Sequence, residues 1–268
     1  MKKMIKSLLA IVTLVLVYQA CTVVPLTGRK QLSLLPESDM ISMSLTSYSD
    51  FMKTNPVSTD KVNSALVTEV GKNISAAVIK YFTDNGMSDR LDGYQWEFNL
   101  VKNDTTPNAW CMPGGKVVVY SGILPYTKDK NGLAVVLSHE IAHAVARHGN
   151  ERMSQELLVQ YGSVALGELL KNKPEQTQNI FNSAYGLGSQ YGVLLPYSRD
   201  HELEADKLGL IFMAMAGYDP QTAIEFWKRM SAGGGNAPLE FMSTHPSDAT
   251  RISQIQAALP EAMKYYKK

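Results

Sequence analysis

The run His139-Glu140-Ile-Ala-His143 constrains this chain more than any other stretch of its sequence. Two histidines four residues apart lie on the same face of an α-helix, where a ring nitrogen of each can bind one metal ion. The glutamate beside the first histidine is then free to act as a base on a water molecule at that metal. The spacing therefore predicts metal-assisted hydrolysis, carried out on a helix.

The residues around this run also favour a helix. Gly149 is a helix stop signal after the motif. A helix that is otherwise apolar is buried, and a buried imidazole needs a partner, which a metal ion provides. A metal site is therefore preferred over two histidines that are simply packed in a core. The apolar positions at helical spacing are Leu133, Val136, Leu137, Ile141, Ala144 and Val145.

A catalytic zinc site needs a third protein ligand, because three ligands leave one position open for water. His148 lies about 180° around a continuous helix from His139, so it is expected to face a neighbouring helix or solvent. The third ligand must therefore come from elsewhere. Metzincins carry a glycine three residues and a histidine six residues after the second histidine, but these positions hold Ala146 and Gly149. Thermolysin-like and aminopeptidase-like enzymes carry a glutamate about twenty residues on, where this chain has Gly162 and Ser163.

A better candidate lies further along, in the stretch from Arg199 to Asp206. Glu202 and Asp206 are four residues apart and share a helix face, whereas Glu204 points away from both. We predict that Glu202 binds the metal and that Asp206 holds a ligand imidazole in one tautomer. The alternative is a solvated acidic helix face, which an isolated acidic pair would favour.

These stretches resemble family forty-eight of the metallopeptidases, the group that includes HtpX and the CAAX prenyl protease. Residues 108–115, with the strand after them, resemble the substrate-side edge strand of the family. Residues 243–246, followed by Arg251 and Ile252, resemble its C-terminal signature, and residues 24–32 resemble the start of its bacterial lipoprotein members. The resemblance implies a gluzincin zinc endopeptidase of the periplasmic branch, with one Zn²⁺ per chain. The ligands that it implies are His139, His143 and Glu202.

The patterns along the chain predict one α+β domain, mainly helical, with a small sheet flanking the motif helix. A chain of 268 residues can bury a full core in one domain. We assign residues 1–20 to a lipoprotein-type signal peptide, residues 21–37 to an extended leader and residues 38–268 to the zinc metallopeptidase domain.

Several residues are expected to meet the substrate. Glu140 is expected to transfer protons, and His245 and Arg199, with Tyr185 behind them, are candidates to stabilise the developing oxyanion. The strand at residues 116–120 is expected to bind an extended peptide by strand addition, which favours unfolded or flexible polypeptides. The candidate residues of the substrate strand are Asn108, Gly115, Lys116 and Val118.

A second role for His245 comes from the resemblance. In some envelope members of the family a histidine of this segment caps the zinc and keeps the enzyme latent. The simpler alternative is a histidine that only positions Pro246 and the last helix.

The start of the chain predicts export to the bacterial envelope. Three lysines among the first six residues precede an apolar run that is short for a membrane span, which is typical of a secretory signal. Cys21 follows at a site that resembles a lipoprotein cleavage site, although Tyr18 stands where an aliphatic residue is usual. We therefore expect a lipid anchor at Cys21 and a periplasmic location. Thr22 after the cysteine favours the outer membrane over the inner one.

Charge and cysteine content narrow the function further. The net charge of +1, without a basic block, argues against nucleic acid as a partner. Cys111 would be the one thiol left after lipidation, so no internal disulfide is expected, and it is predicted to be a packing residue. The main hypothesis is an endopeptidase that degrades misfolded or unassembled envelope proteins. The alternative is an envelope chaperone or assembly factor that uses zinc mainly for structure.

Overall fold

The computed structural model describes residues 21–159, 174–185, 198–233, 239–245 and 249–267. Within these ranges the chain is mainly helical and has two small sheets, which confirms the α+β prediction. The predicted signal peptide lies outside the described residues, as does the side chain of Cys21. No helix in the described part of the chain is both long enough and apolar enough to cross a membrane.

The motif lies on a buried helix at the centre of the fold, α4 (Lys130–Val145). The side chain of Asp129 caps its first turn by accepting hydrogen bonds from the backbone N–H groups of Asn131 and Gly132. Every residue from Gly132 to Val145 is buried. A helix that is enclosed on all sides has apolar residues around its whole circumference, which is why this segment reads as almost continuously hydrophobic.

The helix that carries the second acidic motif, α7 (Arg199–Met215), packs along α4. Ser198 caps its start and accepts a hydrogen bond from the backbone N–H of His201. Gly209 allows the two helices to approach closely, because a Cβ at this position would lie 3.1 Å from the backbone nitrogen of His139. This packing brings the first two turns of α7 to the motif histidines.

The remaining helices enclose this pair. Helix α2 packs against α4 and α7, and α10 packs against α7 and α8. These helices are α1 (Glu37–Thr54), α2 (Lys61–Asp84), α3 (Leu124–Thr127), α5 (148–159), α6 (Pro174–Ala184), α8 (Thr222–Gly233), α9 (Glu240–Thr244) and α10 (Ala249–Ala262), with short 3₁₀ turns at Ser88–Leu91 and Ser121–Ile123.

A three-stranded sheet flanks the motif helix, as predicted. It contains β3 (Glu97–Val101), β4 (Ala109–Met112) and β5 (Lys116–Tyr120), in the order β3-β5-β4. β5 runs parallel to β3 and antiparallel to β4. Helices α2 and α4 pack on this sheet, and β4 is the strand that contacts α4 most closely.

The position of β5 corrects the prediction for the substrate strand. Because β5 is paired on both sides, its backbone cannot add a peptide strand, and the strand at residues 116–120 is not an edge. The ammonium group of Lys116 is buried and forms an ion pair with Glu97 at 3.1 Å. Val118 is fully buried, in a small cluster that includes Tyr48 of α1. The edge nearest the motif helix is β4, which begins just after Asn108.

The predicted leader forms a β-hairpin that packs onto the domain. β1 (Cys21–Val23) pairs antiparallel with β2 (Lys30–Leu32). Val24 is fully buried in the main hydrophobic core. The loop of the hairpin carries Arg29, whose guanidinium reaches helices α5 and α7.

Candidate metal centre

Four side chains from three helical segments converge in the interior. They are His139 and His143 of α4, Glu202 of α7, and His245 at the end of α9. Each offers one ligand atom, and these atoms lie within 4.8 Å of one another. All four side chains are at most 3% exposed.

The separations of the first three ligand atoms suit one small metal ion. The Nε2 atoms of His139 and His143 lie 3.1 Å apart. The carboxylate of Glu202 lies 3.4 Å from the first and 3.3 Å from the second. Donors bound tetrahedrally to zinc at about 2.0–2.1 Å are separated by roughly 3.3 Å. Two imidazoles and one carboxylate also form a donor set that favours zinc over Mg²⁺ or Ca²⁺.

The electrostatics of the cluster favour a positive charge. Burial alone would lower the pKa of His139, but its hydrogen bonds to Asp206 and Glu202 raise that pKa to about 9. Burial would raise the pKa of Glu202, but the nearby His245 and Arg251 hold it well below its usual range. Burial keeps the pKa of His143 well below its ordinary value, so this imidazole is neutral and keeps a lone pair. Glu202 is therefore ionised and His143 neutral, which are the forms in which these side chains bind a metal ion.

Asp206 contacts the imidazole of His139. Its Oδ1 is 3.0 Å from Nδ1 of His139, so the carboxylate holds a proton at Nδ1, and Nε2 is the nitrogen that would bind the metal ion. Arg251 of α10 holds this carboxylate from the other side, with Nε and Nη2 at 2.7 and 2.8 Å. Its Nη1 is 2.8 Å from Glu202, and its guanidinium lies 3.5 Å above the ring centre of Trp227.

Arg251 is a site residue whose role sequence reasoning missed. It is 2% exposed and contacts both acidic residues of the α7 motif. In the sequence it stood only as part of the C-terminal signature. No spacing rule links it to the metal site, because it reaches the site through the packing of α10 on α7.

Glu140 lies beside the cluster and is available for proton transfer. Its side chain is 2% exposed, and among the described residues its Oε1 accepts no hydrogen bond. Burial raises the pKa of this carboxyl. The nearest basic atom is Nε2 of His245, at 3.3 Å. A buried carboxylate with a raised pKa suits a general base that later returns the proton.

His245 supplies a fourth donor to the cluster. Its Nδ1 lies 3.2 Å from Nε2 of His139 and 3.0 Å from Oε1 of Glu202. Its ring stacks on Phe241, with ring centres 4.7 Å apart. With His245 the cluster has four protein donors, whereas a catalytic zinc site has three and leaves the fourth position to water.

The other predicted oxyanion donors are less central. Arg199 is exposed in the first turn of α7 and lines a cavity of about 180 Å³ that reaches Glu202 and Arg251. Tyr185 packs against Phe181, and its hydroxyl lies close to the backbone at Gly149. Residues 186–197, which follow Tyr185, lie outside the described residues.

The sequence analysis also missed a second buried network behind the motif. His148 is fully buried between His143 and Glu204, and its ring stacks on that of His201. All five histidines of the chain therefore lie in or next to one buried cluster. Spacing within each motif could not reveal this clustering, because it depends on how α4, α5, α7 and α9 pack together.

The profile of peptidase family M48 matches residues 72–259. The chain belongs to peptidase family M48. Family membership and the His–His–Glu set together identify the cluster as the metal site of an M48 peptidase domain, with zinc as its cofactor.

Two groups of relatives are similar to this member of family M48. The mitochondrial metalloendopeptidase OMA1 of Schizosaccharomyces pombe is 40% identical over 191 residues, which covers 70% of this chain and 53% of that protein. The same enzyme of Saccharomyces cerevisiae is 36% identical over 202 residues, or 73% of this chain and 55% of that protein. The beta-barrel assembly-enhancing protease of Yersinia pestis is 32% identical over 166 residues, or 60% of this chain and 34% of that protein. The chain thus spans about half the length of the mitochondrial relatives.

Acid should destabilise the protein through Glu151. Burial would raise the pKa of this carboxyl, but hydrogen bonds from His201 and Arg29 lower it to about 2, from an ordinary value of 4.5. The unfolded state therefore binds the proton first, so the stabilisation is complete above pH 4.5 and is lost as the pH falls towards 2. We expect the free energy of unfolding of metal-free protein to drop by roughly 1–2 kcal/mol between pH 5 and pH 3 through this group.

Urea unfolding at both pH values measures this effect. Glu151→Gln should be less stable than the parent at pH 7 and should lose less stability on acidification. Equal pH slopes for the two proteins would show that Glu151 does not carry the acid sensitivity.

Proposed function

We propose that this chain is a zinc-dependent endopeptidase of the bacterial cell envelope that degrades misfolded or unassembled envelope proteins. The observation that carries the enzymatic part is the convergence of His139, His143 and Glu202, with Glu140 beside them in the protein interior. A structural zinc site would not need, beside its ligands, a buried carboxylate whose Oε1 accepts no hydrogen bond from the described residues.

The residues divide the chemistry between them. When bound, zinc supplies a Lewis acid that makes water more acidic and polarises the scissile carbonyl. Glu140 accepts a proton from the attacking water and delivers it to the leaving amine. Asp206 orients the imidazole of His139, and Arg251 fixes the carboxylates of Asp206 and Glu202.

We place the substrate along β4. An extended peptide adds to a sheet only at an edge, and β4 is the edge strand that packs against the motif helix. Backbone pairing of this kind is independent of side-chain sequence, so it suits unfolded or unassembled polypeptides. Trp110 of β4 is half-buried and packs edge-on against Phe51 of α1, which steadies the strand.

The conformation of His245 supports a latent state. Its Nδ1 occupies the fourth donor position, so the imidazole must leave before water and substrate can bind there. Latency suits a protease that shares a compartment with folded proteins.

The envelope assignment rests on the sequence before Cys21 and on one group of relatives. A basic and then apolar stretch precedes Cys21, as in bacterial lipoproteins. The relatives in Yersinia pestis and Escherichia coli are named for enhancing β-barrel assembly. We propose that this chain is anchored by a lipid at Cys21, faces the periplasm and acts at the outer membrane.

A substrate trap tests this function. Cells that carry tagged Glu140→Gln should retain uncleaved envelope proteins on the tag, and the same proteins should be shortened in cells with the parent enzyme. The matched control is Glu140→Gln combined with His139→Ala, which removes a zinc ligand. Proteins that this double variant still retains bind without the zinc site. Clients that bind parent and variant equally, and that neither protein cleaves, would favour the chaperone alternative.

The lipid anchor is tested by labelling with palmitate. The parent should incorporate the label, and Cys21→Ser should not.

A further inference from the structure

A chain of three side chains leads from the ligand His143 to a glutamate on α7. Nδ1 of His143 lies 2.9 Å from Nδ1 of His148. On the other side of the His148 ring, Nε2 lies 3.0 Å from Oε2 of Glu204. His143 and His148 are at most 1% exposed and Glu204 is 5% exposed, so solvent does not compete for these hydrogen bonds.

The chemistry of the three groups fixes the direction of the hydrogen bonds. An ionised Glu204 can only accept, so Nε2 of His148 must carry its proton and donate it. A neutral His148 then has a lone pair on Nδ1, which accepts from Nδ1–H of His143. Nε2 of His143 is left with its lone pair, and this atom faces His139 and Glu202. If these hydrogen bonds ran in the opposite direction, Nε2 of His143 would carry a proton and could not bind the metal.

The N-terminal hairpin holds the far end of this chain. Nε of Arg29 donates to Oε2 of Glu204 at 2.8 Å, and the hydroxyl of Thr27 donates to Oε1 of the same carboxylate. The two terminal nitrogens of Arg29 bind Glu151 at 2.9 and 2.7 Å. Arg29 therefore keeps Glu204 ionised and fixed, although the hairpin precedes the segment that the family profile matches.

The two motif histidines thus have different partners. His139 donates directly to the carboxylate of Asp206, whereas His143 reaches a carboxylate only through a second imidazole. A direct partner is fixed by α7 alone. A partner that acts through His148 also depends on α5, which carries His148, and on the hairpin, which carries Arg29.

We propose that His148 and Glu204 form a relay that sets the tautomer of the zinc ligand His143, and that Arg29 of the N-terminal hairpin positions this relay. All three are positioning residues that act through His143. The inference rests on the proposed zinc site, since it assigns His143 as a ligand. It extends the metal centre to a hairpin that lies far from it in the sequence.

Zinc affinity tests the relay without reference to activity. Competition with a chromophoric chelator should show that zinc binds about 10- to 100-fold more weakly to Glu204→Met, which removes the acceptor, and to His148→Phe than to the parent, as is typical when such partners are lost. His148→Gln can accept from His143 and donate to Glu204, so it should restore most of the affinity. Arg29→Gln should weaken binding in the same direction. Glu97→Gln is the matched control, because Glu97 pairs with Lys116 and Tyr48, which belong to neither the relay nor the metal centre, and its zinc affinity should stay within about threefold of the parent.

The tautomer itself gives a second readout. In metal-free protein labelled with ¹⁵N-histidine, the ring shifts of His143 should report a proton on Nδ1 in the parent. In Glu204→Met they should move towards a proton on Nε2. Equal zinc affinities for Glu204→Met and Glu97→Gln, or an unchanged tautomer in Glu204→Met, would overturn the relay even if the parent binds zinc. Failure of the parent to bind zinc would instead overturn the proposed function, together with this inference.

Discussion

Glu140→Gln should lower the rate of casein cleavage by roughly 10²- to 10⁴-fold, while the purified protein still binds one zinc ion per chain. Glutamine has nearly the shape of glutamate but cannot take a proton from water. The side chain is buried next to the ligands and does not bind the metal in the proposed arrangement, so the substitution should leave the metal site intact. Initial cleavage rates and zinc content, measured on the same preparation, check both parts of this prediction.

Glu37→Gln is a suitable control for that substitution. Glu37 is another mostly buried carboxyl. It lies at the start of α1 and pairs with Arg147, and it is not one of the candidate metal ligands. It should keep most of the parent activity. If Glu140→Gln cleaved casein as fast as the parent, the assignment of the base would be wrong.

His245→Ala should raise basal proteolysis by about tenfold or more. The imidazole occupies the fourth donor position in this structure, so only molecules from which it has moved away can take water and substrate. If the capped form makes up roughly nine-tenths or more of the population, loss of the cap exposes at least tenfold more competent enzyme. Cleavage of a fluorogenic peptide under conditions of excess zinc measures this change.

The double variant His245→Ala with Glu140→Gln shows whether any gain arises at this site, because it should be inactive. Unchanged or reduced proteolysis in His245→Ala would argue against latency. A reduced rate with unchanged zinc affinity would favour the other predicted role, in which His245 stabilises the oxyanion.

The features that could be predicted from sequence are those fixed by local spacing. His139 and His143 lie on one helix face because a helix has 3.6 residues per turn, and the same rule places Glu202 and Asp206 together. The identity of the motif helix follows from its apolar composition. These relations hold whatever the rest of the chain does.

His148 shows where local reasoning was incomplete. It faces the neighbouring helix α7, as predicted, through the contact of its Nε2 with Glu204, but its Nδ1 also contacts His143. Its expected direction assumed a continuous helix from His139, but α4 ends at Val145 and Arg147 adopts a positive φ of 61°. The chain turns there and a new helix begins at His148. The angular rule no longer applies across that break, so the ring points back towards His143.

The remaining errors concern contacts between distant segments. β5 lies in the middle of the sheet. The alternation of apolar and polar residues predicts that a segment is a strand, but it does not show whether that strand is at the edge or in the centre of its sheet. Arg251 reaches Asp206 across 45 residues, and Arg29 reaches Glu204 across 175 residues. Such pairs depend on how whole helices pack, which periodicity within one segment does not determine.

The location of the metal tests the central claim most directly. Crystals of the parent protein grown with zinc should give one strong anomalous difference peak at the zinc absorption edge, bonded to Nε2 of His139, Nε2 of His143 and the carboxylate of Glu202. The peak should be absent from Glu202→Ala crystals treated in the same way. A zinc ion bound elsewhere, or a peak that survives in Glu202→Ala at full strength, would contradict the proposed metal centre.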